Sequence, residues 1–152
     1  MPETAYQYLK SHELLTIATA SKSGMPHATP VFYVSDGPVV LFSCSDESQT
    51  GQNLAENAYA AVAVADAPDP GQDWSDARGL QIWGPVTRLE GADAEAAADA
   101  FRNAYPHLGD HVTGSPFYRL EPEEVHYIHN DESGDEDFEA LGVHWLRETV
   151  ED

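Results

Sequence analysis

The chain has 152 residues, and its acidic composition limits the partners it can have. Asp and Glu number 27 against 7 Lys and Arg, which gives a formal net charge of −20. Because this excess of negative charge repels nucleic acid phosphates and anionic lipid headgroups, we expect no nucleic acid partner and no membrane partner. The length fits a single domain over residues 1–152.

The same net charge also affects how the stability of the protein depends on salt concentration. Repulsion between like charges opposes a compact fold at low salt, and it weakens as the Debye length falls to about 3 Å near molar salt. One interpretation is therefore that the protein is halophilic, which means that it is adapted to a cytoplasm of high salt concentration. An ordinary acidic protein whose charge serves solubility is the alternative.

The expected cellular compartment of the protein follows from two further features of its sequence. No apolar run approaches the roughly 20 residues that span a bilayer, and the first residues lack a basic region followed by an apolar one. Cys44 is the single cysteine, so an internal disulfide and a cysteine-based metal cage are excluded. We expect a soluble protein of the cytoplasm.

The first half of the chain predicts a short helix and three strands. Thr4 and Gln7 have the spacing of a capping box, which predicts a helix through about residue 12. Residues 14–20, 27–35 and 39–42 are rich in β-branched and apolar residues and are separated by turn signals at 22–24 and 36–37. Three consecutive antiparallel strands are expected.

The second half predicts more strands and two helices. Residues 48–57 favour a helix, 59–65 a strand, and 67–73 a loop because of its prolines and glycine. The longest strand pattern, 77–89, places Leu80 and Ile82 on one face and Gln81 and Trp83 on the other. Gly84 within it favours a bend of the kind that curls a sheet.

Beyond that strand the pattern changes twice. Asp93 is a predicted helix cap for residues 93–105. Residues 117–120 and 124–129 follow as strands, and 130–139 is an acidic stretch too polar for the core. The tail at 143–147 returns to apolar alternation. The predicted fold is mainly β (α+β), an antiparallel barrel with short flanking helices.

The order of these pieces resembles a known superfamily. A strand at residues 14–20, a Gly24-Met25-Pro26 turn, a Thr29-Pro30-Val31 strand and the long Arg78 to Gly84 strand are similar to those of the pyridoxamine phosphate oxidase-like FMN-binding split barrels. Together with Pro116-Phe117-Tyr118 and Trp145-Leu146-Arg147, they resemble the YhbP-like branch. The resemblance implies a split barrel that forms a homodimer and holds FMN in a cleft at the dimer interface.

Cofactor-binding residues follow from this resemblance alone. Residues 29–31 match the strand under the flavin ring, 43–45 a strand end near the ring and ribityl chain, and Gln81 a position that meets the ring. Ser48, Thr50 and Asn53 match a Ser-x-Lys-x-x-Asn-Leu helix start. The candidate set is Thr29, Pro30, Val31, Ser43, Cys44, Ser45, Ser48, Thr50, Asn53 and Gln81.

Thr50 departs from the family pattern, which has lysine there. A flavin phosphate carries close to two negative charges, and its usual cationic partner is absent from a chain that is already acidic. A helix N-terminus partly substitutes for a cation, and Arg78 is the nearest cation by sequence. The alternative interpretation is that these residues simply line a barrel and cap a helix.

Other chemistry receives little support. His126 and His129 are three apart on a predicted strand, so they point to opposite faces, and no metal site is predicted. Cys44 lacks an obvious base and is better explained by packing than by reactivity. Trp83 and Trp145 are expected at the dimer interface. No side chain is predicted to be a catalytic acid or base.

Two functions remain open. The first is a flavin-dependent oxidoreductase that acts on a small molecule, in which the flavin supplies the redox chemistry. The second keeps the barrel and the dimer but has lost flavin binding, which leaves a ligand-binding or interaction module. Thr50 favours the second.

Overall fold

A computed structural model describes residues 1, 3–66, 70–71, 77–108, 114–129 and 144–149. The acidic stretch 130–139 and all but residues 70 and 71 of the predicted 67–73 loop lie outside this description. The elements are α1 (Glu3–Lys10), β1 (Leu14–Ala20), β2 (Pro26–Asp36), β3 (Val39–Ser43), α2 (Gln49–Glu56), β4 (Tyr59–Asp66), β5 (Arg78–Arg88), α3 (Gly91–Ala104), β6 (Phe117–Leu120), β7 (Glu124–His129) and β8 (His144–Thr149).

Six strands close a barrel in the order β4-β1-β2-β3-β6-β5, with β4 paired back onto β5. All the pairings are antiparallel, and β7 and β8 extend the sheet beyond β5. The predicted antiparallel split barrel with short flanking helices is confirmed. So are the three consecutive strands β1 to β3.

The split lies along β5. Residues 78–83 of this strand pair with β7, whereas residues 86–88 pair with β6. Gly84 stands between the two halves, and a Cβ added there would meet the carbonyl oxygen of Glu121 at 1.8 Å. Backbone bonds from Glu121 N to Pro85 O and from Glu123 N to Trp83 O carry the chain across this point. Glycine is required because the β6–β7 connection passes directly over it.

Two hydrophobic clusters stabilise the fold. The alternation of β1, with Leu15 and Ile17 buried and Thr16 and Ala18 exposed, turns one face of the strand into the barrel interior. That interior holds the larger cluster. The second cluster packs α3, through residues such as Phe101, against the outside of β3 and β6.

The helices close different parts of the barrel. Leu9 of α1 is fully buried, and its carbonyl accepts a hydrogen bond from the Tyr33 hydroxyl of β2. α2 lies at the opposite end of β1, where Asn53 bonds to Thr19. Since β1 has seven residues, the two ends are about 20 Å apart.

Two helix starts differ from their predictions. α1 begins at Glu3, so Thr4 is not its cap, and Gln7 Nε2 donates to Glu3 Oε1 over 2.6 Å. α3 begins at Gly91, two residues before Asp93. Gly91 has a φ of +58°, a conformation that glycine adopts without strain and that sets the chain turning before Asp93 is reached. Asp93 then lies in the first turn, where its charge favours the helix dipole.

Candidate functional site

The predicted site residues fall into three places. Residues 43–53 form a compact unit comprising the end of β3, a turn and most of α2. Thr29, Pro30 and Val31 lie on the half of β2 that pairs with β1. Gln81 lies on β5, which is three strands away from β2, with β1 and β4 between them.

The serines of the first group hold the turn together. Ser43 Oγ donates to the carbonyl of Pro116 over 2.9 Å, and Ser48 Oγ donates to the carbonyl of Ser45 over 2.6 Å. Ser48 is also the N-cap of α2, because its Oγ accepts from Gly51 N at 3.0 Å. A Cβ at Gly51 would meet Ser45 O at 2.2 Å, so the helix presses directly on the turn.

Two other members of this group are buried. Thr50 is 2% exposed and Asn53 is 1% exposed. Asn53 Nδ2 donates to Thr19 Oγ1 over 3.0 Å, and its Oδ1 accepts from Gln49 Nε2 at 2.8 Å. These side chains therefore fasten α2 to the barrel and face away from solvent.

Cys44 is half-buried against the larger core cluster. Burial is the main reason that the pKa of its thiol is raised, with hydrogen bonds to Ser48 and Tyr118 opposing the shift. The thiol thus stays protonated at neutral pH.

A cation that the sequence did not indicate stands beside this turn. Arg88 Nη1 contacts Asp46 Oδ1 at 2.6 Å, and the Tyr118 hydroxyl reaches the same oxygen at 3.3 Å. Both ion-pair partners are about half exposed, so the pair adds little stability. Arg78, the cation nearest by sequence, lies at the α1 end of the barrel, where its carbonyl accepts from Tyr8. The sequence does not show that Arg88 is the nearer cation, because its position follows from the pairing of β5 with β6, in which Arg88 lies opposite Tyr118.

On β2 the three predicted residues divide between the two faces. Thr29 and Val31 are paired with Ile17 and Leu15, so they point towards the barrel interior. Pro30, paired with Thr16, is exposed on the outside. Val31 packs against the larger core cluster and needs no ligand, in keeping with the alternative interpretation that these residues line a barrel.

Gln81 belongs to the same outer face as Pro30. The register forms a row across five strands: Pro30, Thr16, Ala63, Gln81 and His126. Three strand spacings separate Pro30 from Gln81, about 14 Å. A single flat ring therefore does not contact Pro30, Gln81 and residues 43–53 of the same chain at once.

This outer face carries no charge over four strands. We call it the uncharged face, and it comprises the outward positions of β1 and β4, of residues 26–32 of β2 and of residues 78–85 of β5, which pair with one another. They are Leu14, Thr16, Ala18, Ala20, Pro26, Ala28, Pro30, Phe32, Tyr59, Ala61, Ala63, Ala65, Gly79, Gln81, Trp83 and Pro85. Charged residues make up 22% of the chain, so a face of this size without one is a marked exception.

Several large side chains on this face are open to solvent. Leu14 is 52% exposed, Tyr59 42% and Phe32 39%. α3 packs against the outside of β3 and β6, and among the described residues it makes no extensive contact with β1 or β4. Clefts of about 310, 300 and 250 Å³ lie beside α3, and none of the three is lined by a residue of the uncharged face. A contiguous exposed apolar surface of this kind is typical of an interaction site.

One edge of the uncharged face continues onto β7 and carries polar groups. His126 Nε2 contacts Glu124 Oε1 at 2.7 Å, and the imidazole lies 4.8 Å from the Trp83 ring, centre to centre. The sequence does not show that His126 belongs to this face, because the pairing of β5 with β7 is not readable from a strand's own pattern. The side chain of Trp145 lies outside the description.

The described residues contain no group of three or more His, Cys, Asp or Glu side chains placed to share a metal ion. Within the same part of the chain, no helix has the length and apolar character needed to cross a bilayer.

A flavin fits these residues only in part. The uncharged face, with Pro30, Gln81 and Trp83, suits a planar aromatic ring. The start of α2 has no basic residue in its first turn, and its Thr50 is buried. The residues present therefore fit the ring and do not supply the expected anchor for a phosphate.

Solved structures share this fold. A heme binding protein from Mycobacterium smegmatis is 25% identical, with a TM-score of 0.70 over 84% of this chain and 54% of that one. The heme storage protein HutZ from Vibrio cholerae is 16% identical, with a TM-score of 0.65 over 81% and 92% of the two chains. An FAD binding protein from Mycobacterium smegmatis is 18% identical, with a TM-score of 0.60 over 82% and 90%. This chain therefore spans about half of the first of these proteins and most of the other two.

Sequence comparison gives the family. No curated protein matches the chain significantly. The family model described as pyridoxamine 5'-phosphate oxidase matches residues 1–129, which is most of the chain and includes every predicted site residue. The chain belongs to the pyridoxamine 5'-phosphate oxidase family.

Proposed function

We propose that two copies of this chain pair through their uncharged faces and bind an FMN-type flavin at the seam, forming a flavin-dependent oxidoreductase for a small molecule. The observation that carries the proposal is the uncharged face itself. Family membership and the likeness to an FAD binding protein support a flavin as the ring.

A second copy is the partner that the charges favour. Two chains of net charge −20 repel each other wherever acidic surfaces meet, so close approach requires a surface without charge. The uncharged face provides that surface, and its alanines Ala18, Ala28, Ala61 and Ala63 allow the backbones to come near. Molar salt, which we propose as the working condition in the cytoplasm, screens the remaining repulsion.

The ring would be held by groups at this seam. Gln81 offers an amide donor and acceptor, Trp83 an aromatic surface and Pro30 an apolar contact. Because Gln81 is about 14 Å from Pro30 within one chain, we propose that the two contact the ring from different protomers. A bound flavin supplies hydride and electron transfer, and the chain binds the ring and excludes water.

Purified protein in molar KCl tests this proposal. We expect a yellow dimer, or a colourless one that takes up added FMN with quenching of flavin fluorescence. Gln81→Ala should weaken flavin binding by about tenfold, in line with the loss of about 1.4 kcal/mol of hydrogen bonding. Gln52→Ala on the exposed side of α2 is the matched control. A dimer that binds no flavin would contradict the flavin assignment.

A dimeric ligand-binding module without flavin is the second candidate, and one observation gives it a ligand. The contact of His126 with Glu124 orients the imidazole beside Trp83, at the edge where the uncharged face continues onto β7. Imidazole is a common iron ligand. The ligand of this second candidate would then be heme, which is also what the similar Mycobacterium smegmatis protein binds. Titration with hemin should give a sharp Soret band that His126→Ala abolishes and that His107→Ala leaves intact.

A further inference from the structure

We propose that the chain recognises a flavin by its ring and gains no affinity from the phosphate, so that riboflavin and FMN bind alike. This inference rests on the proposed function, because it concerns the same ring at the same seam. It is carried by the start of α2, where the family resemblance puts the phosphate.

The residue at the lysine position is out of reach of a ligand. Thr50 is 98% buried, and a side chain packed in this way does not contact a phosphate at the surface. The next backbone N–H group, that of Gly51, is already bonded to the Ser48 hydroxyl at 3.0 Å. The side chain at the lysine position and one N–H group of the first turn are therefore unavailable to a phosphate here.

The polar side chains around this helix start are bonded to one another. Ser48 Oγ donates to Ser45 O, and Ser45 Oγ accepts from Glu47 N at 3.2 Å. Gln49 donates to Asn53, and Asn53 donates to Thr19. A phosphate that bound Ser48, Gln49 or Asn53 would have to break these internal bonds to gain new ones, so the net gain would be small.

Charge opposes a phosphate as well. Asp46 and Glu47 are exposed and come directly before the cap of α2. The neighbouring cation, Arg88, contacts Asp46 at 2.6 Å and so serves a carboxylate already. Among the other cations, Arg78 lies at the α1 end, about 20 Å away, and Lys22 lies beside the C-terminal end of α2. A dianionic phosphate at the cap of α2 therefore lies next to two carboxylates, and the arginine beside them is already paired.

Affinities of riboflavin and FMN for the wild-type dimer test the inference. In molar KCl, flavin fluorescence quenching should give dissociation constants within about threefold of each other. At lower salt FMN should weaken relative to riboflavin, because screening of Asp46 and Glu47 is lost. FMN binding that is tighter by tenfold or more, which is about 1.4 kcal/mol, would overturn the inference.

Two variants sharpen the result. Arg88→Gln should leave both affinities within about threefold of wild type, and a selective loss of FMN would mean that Arg88 anchors the phosphate and would overturn the inference. Asp46→Asn combined with Glu47→Gln should improve FMN binding and leave riboflavin binding unchanged. Failure of the wild-type dimer to bind either flavin would overturn the proposed function together with this inference, and is distinct from a strong preference for FMN.

Discussion

Asn53 on α2 and Thr19 on β1 are joined by a hydrogen bond of 3.0 Å between two buried side chains. This contact holds the helix, and the serine-rich turn before it, against the end of the barrel. Because both partners are out of water, the loss of either one leaves the other unsatisfied.

Asn53→Ala should therefore destabilise the fold by about 1 to 3 kcal/mol. Urea unfolding monitored by tryptophan fluorescence measures the change. Gln52→Ala, at an exposed position of the same helix, should change stability by less than about 0.5 kcal/mol. Equal effects for the two variants would mean that the Asn53 contact contributes nothing.

The two crowded glycines give a second prediction. A methyl group at Gly51 meets Ser45 O at 2.2 Å, and one at Gly84 meets Glu121 O at 1.8 Å, so the backbone must move in either case. We expect Gly51→Ala and Gly84→Ala to cost about 1 to 3 kcal/mol or more. Gly114→Ala is the control, because a methyl group there meets no heavy atom of the described residues within 4 Å. Thermal melts compare the three, and melts that coincide would contradict the crowding.

Alkaline pH should unfold the protein through its buried tyrosines. Burial raises the pKa of Tyr105 to about 12, and its hydroxyl donates to the carbonyl of Tyr33. An unfolded tyrosine has a pKa of about 10. Since the pKa of Tyr105 is higher in the folded state, the stability that its protonated hydroxyl contributes is complete below about pH 10. This contribution is lost as the pH rises towards about 12.

Tyr105→Phe removes both the hydrogen bond and this pH dependence. We expect a loss of about 1 kcal/mol at neutral pH and a shallower fall of stability in alkali. Urea unfolding at about pH 8 and about pH 11 gives both values. Tyr6→Phe on α1 is the control. An unchanged alkaline slope in the Tyr105 variant would exclude Tyr105 as a source of the pH dependence.

Salt should stabilise the chain strongly. With a net charge of −20, repulsion falls as the Debye length shrinks from about 10 Å at 0.1 M to about 3 Å at 1 M. We expect the melting temperature to rise steeply over this range of KCl. A flat response would favour the ordinary acidic protein over the halophilic one.

Most of the fold was readable from sequence because it rests on local patterns. The alternation of β1 and the Asp36-Gly37 turn each specify a strand face or a hairpin without reference to distant residues. The face on which Gln81 and Trp83 lie was also predicted correctly, because it depends only on the period of β5.

The site was less readable because it depends on which strands are neighbours. The uncharged face exists only once β4 pairs with both β1 and β5, and His126 joins it only through the pairing of β7 with β5. The burial of Thr50 follows from the packing of α2 on β1, and no motif encodes it. Arg88 was passed over for Arg78 for the same reason.

The central claim is that the uncharged face receives a second copy of the chain. Light scattering after size-exclusion chromatography in molar KCl tests it directly, with wild type, Ala18→Glu at the centre of that face and Ala92→Glu on α3 as the matched control. We predict twice the mass of the chain for wild type and for Ala92→Glu, and a folded monomer for Ala18→Glu. A wild-type monomer, or a dimer that Ala18→Glu leaves intact, would contradict the claim.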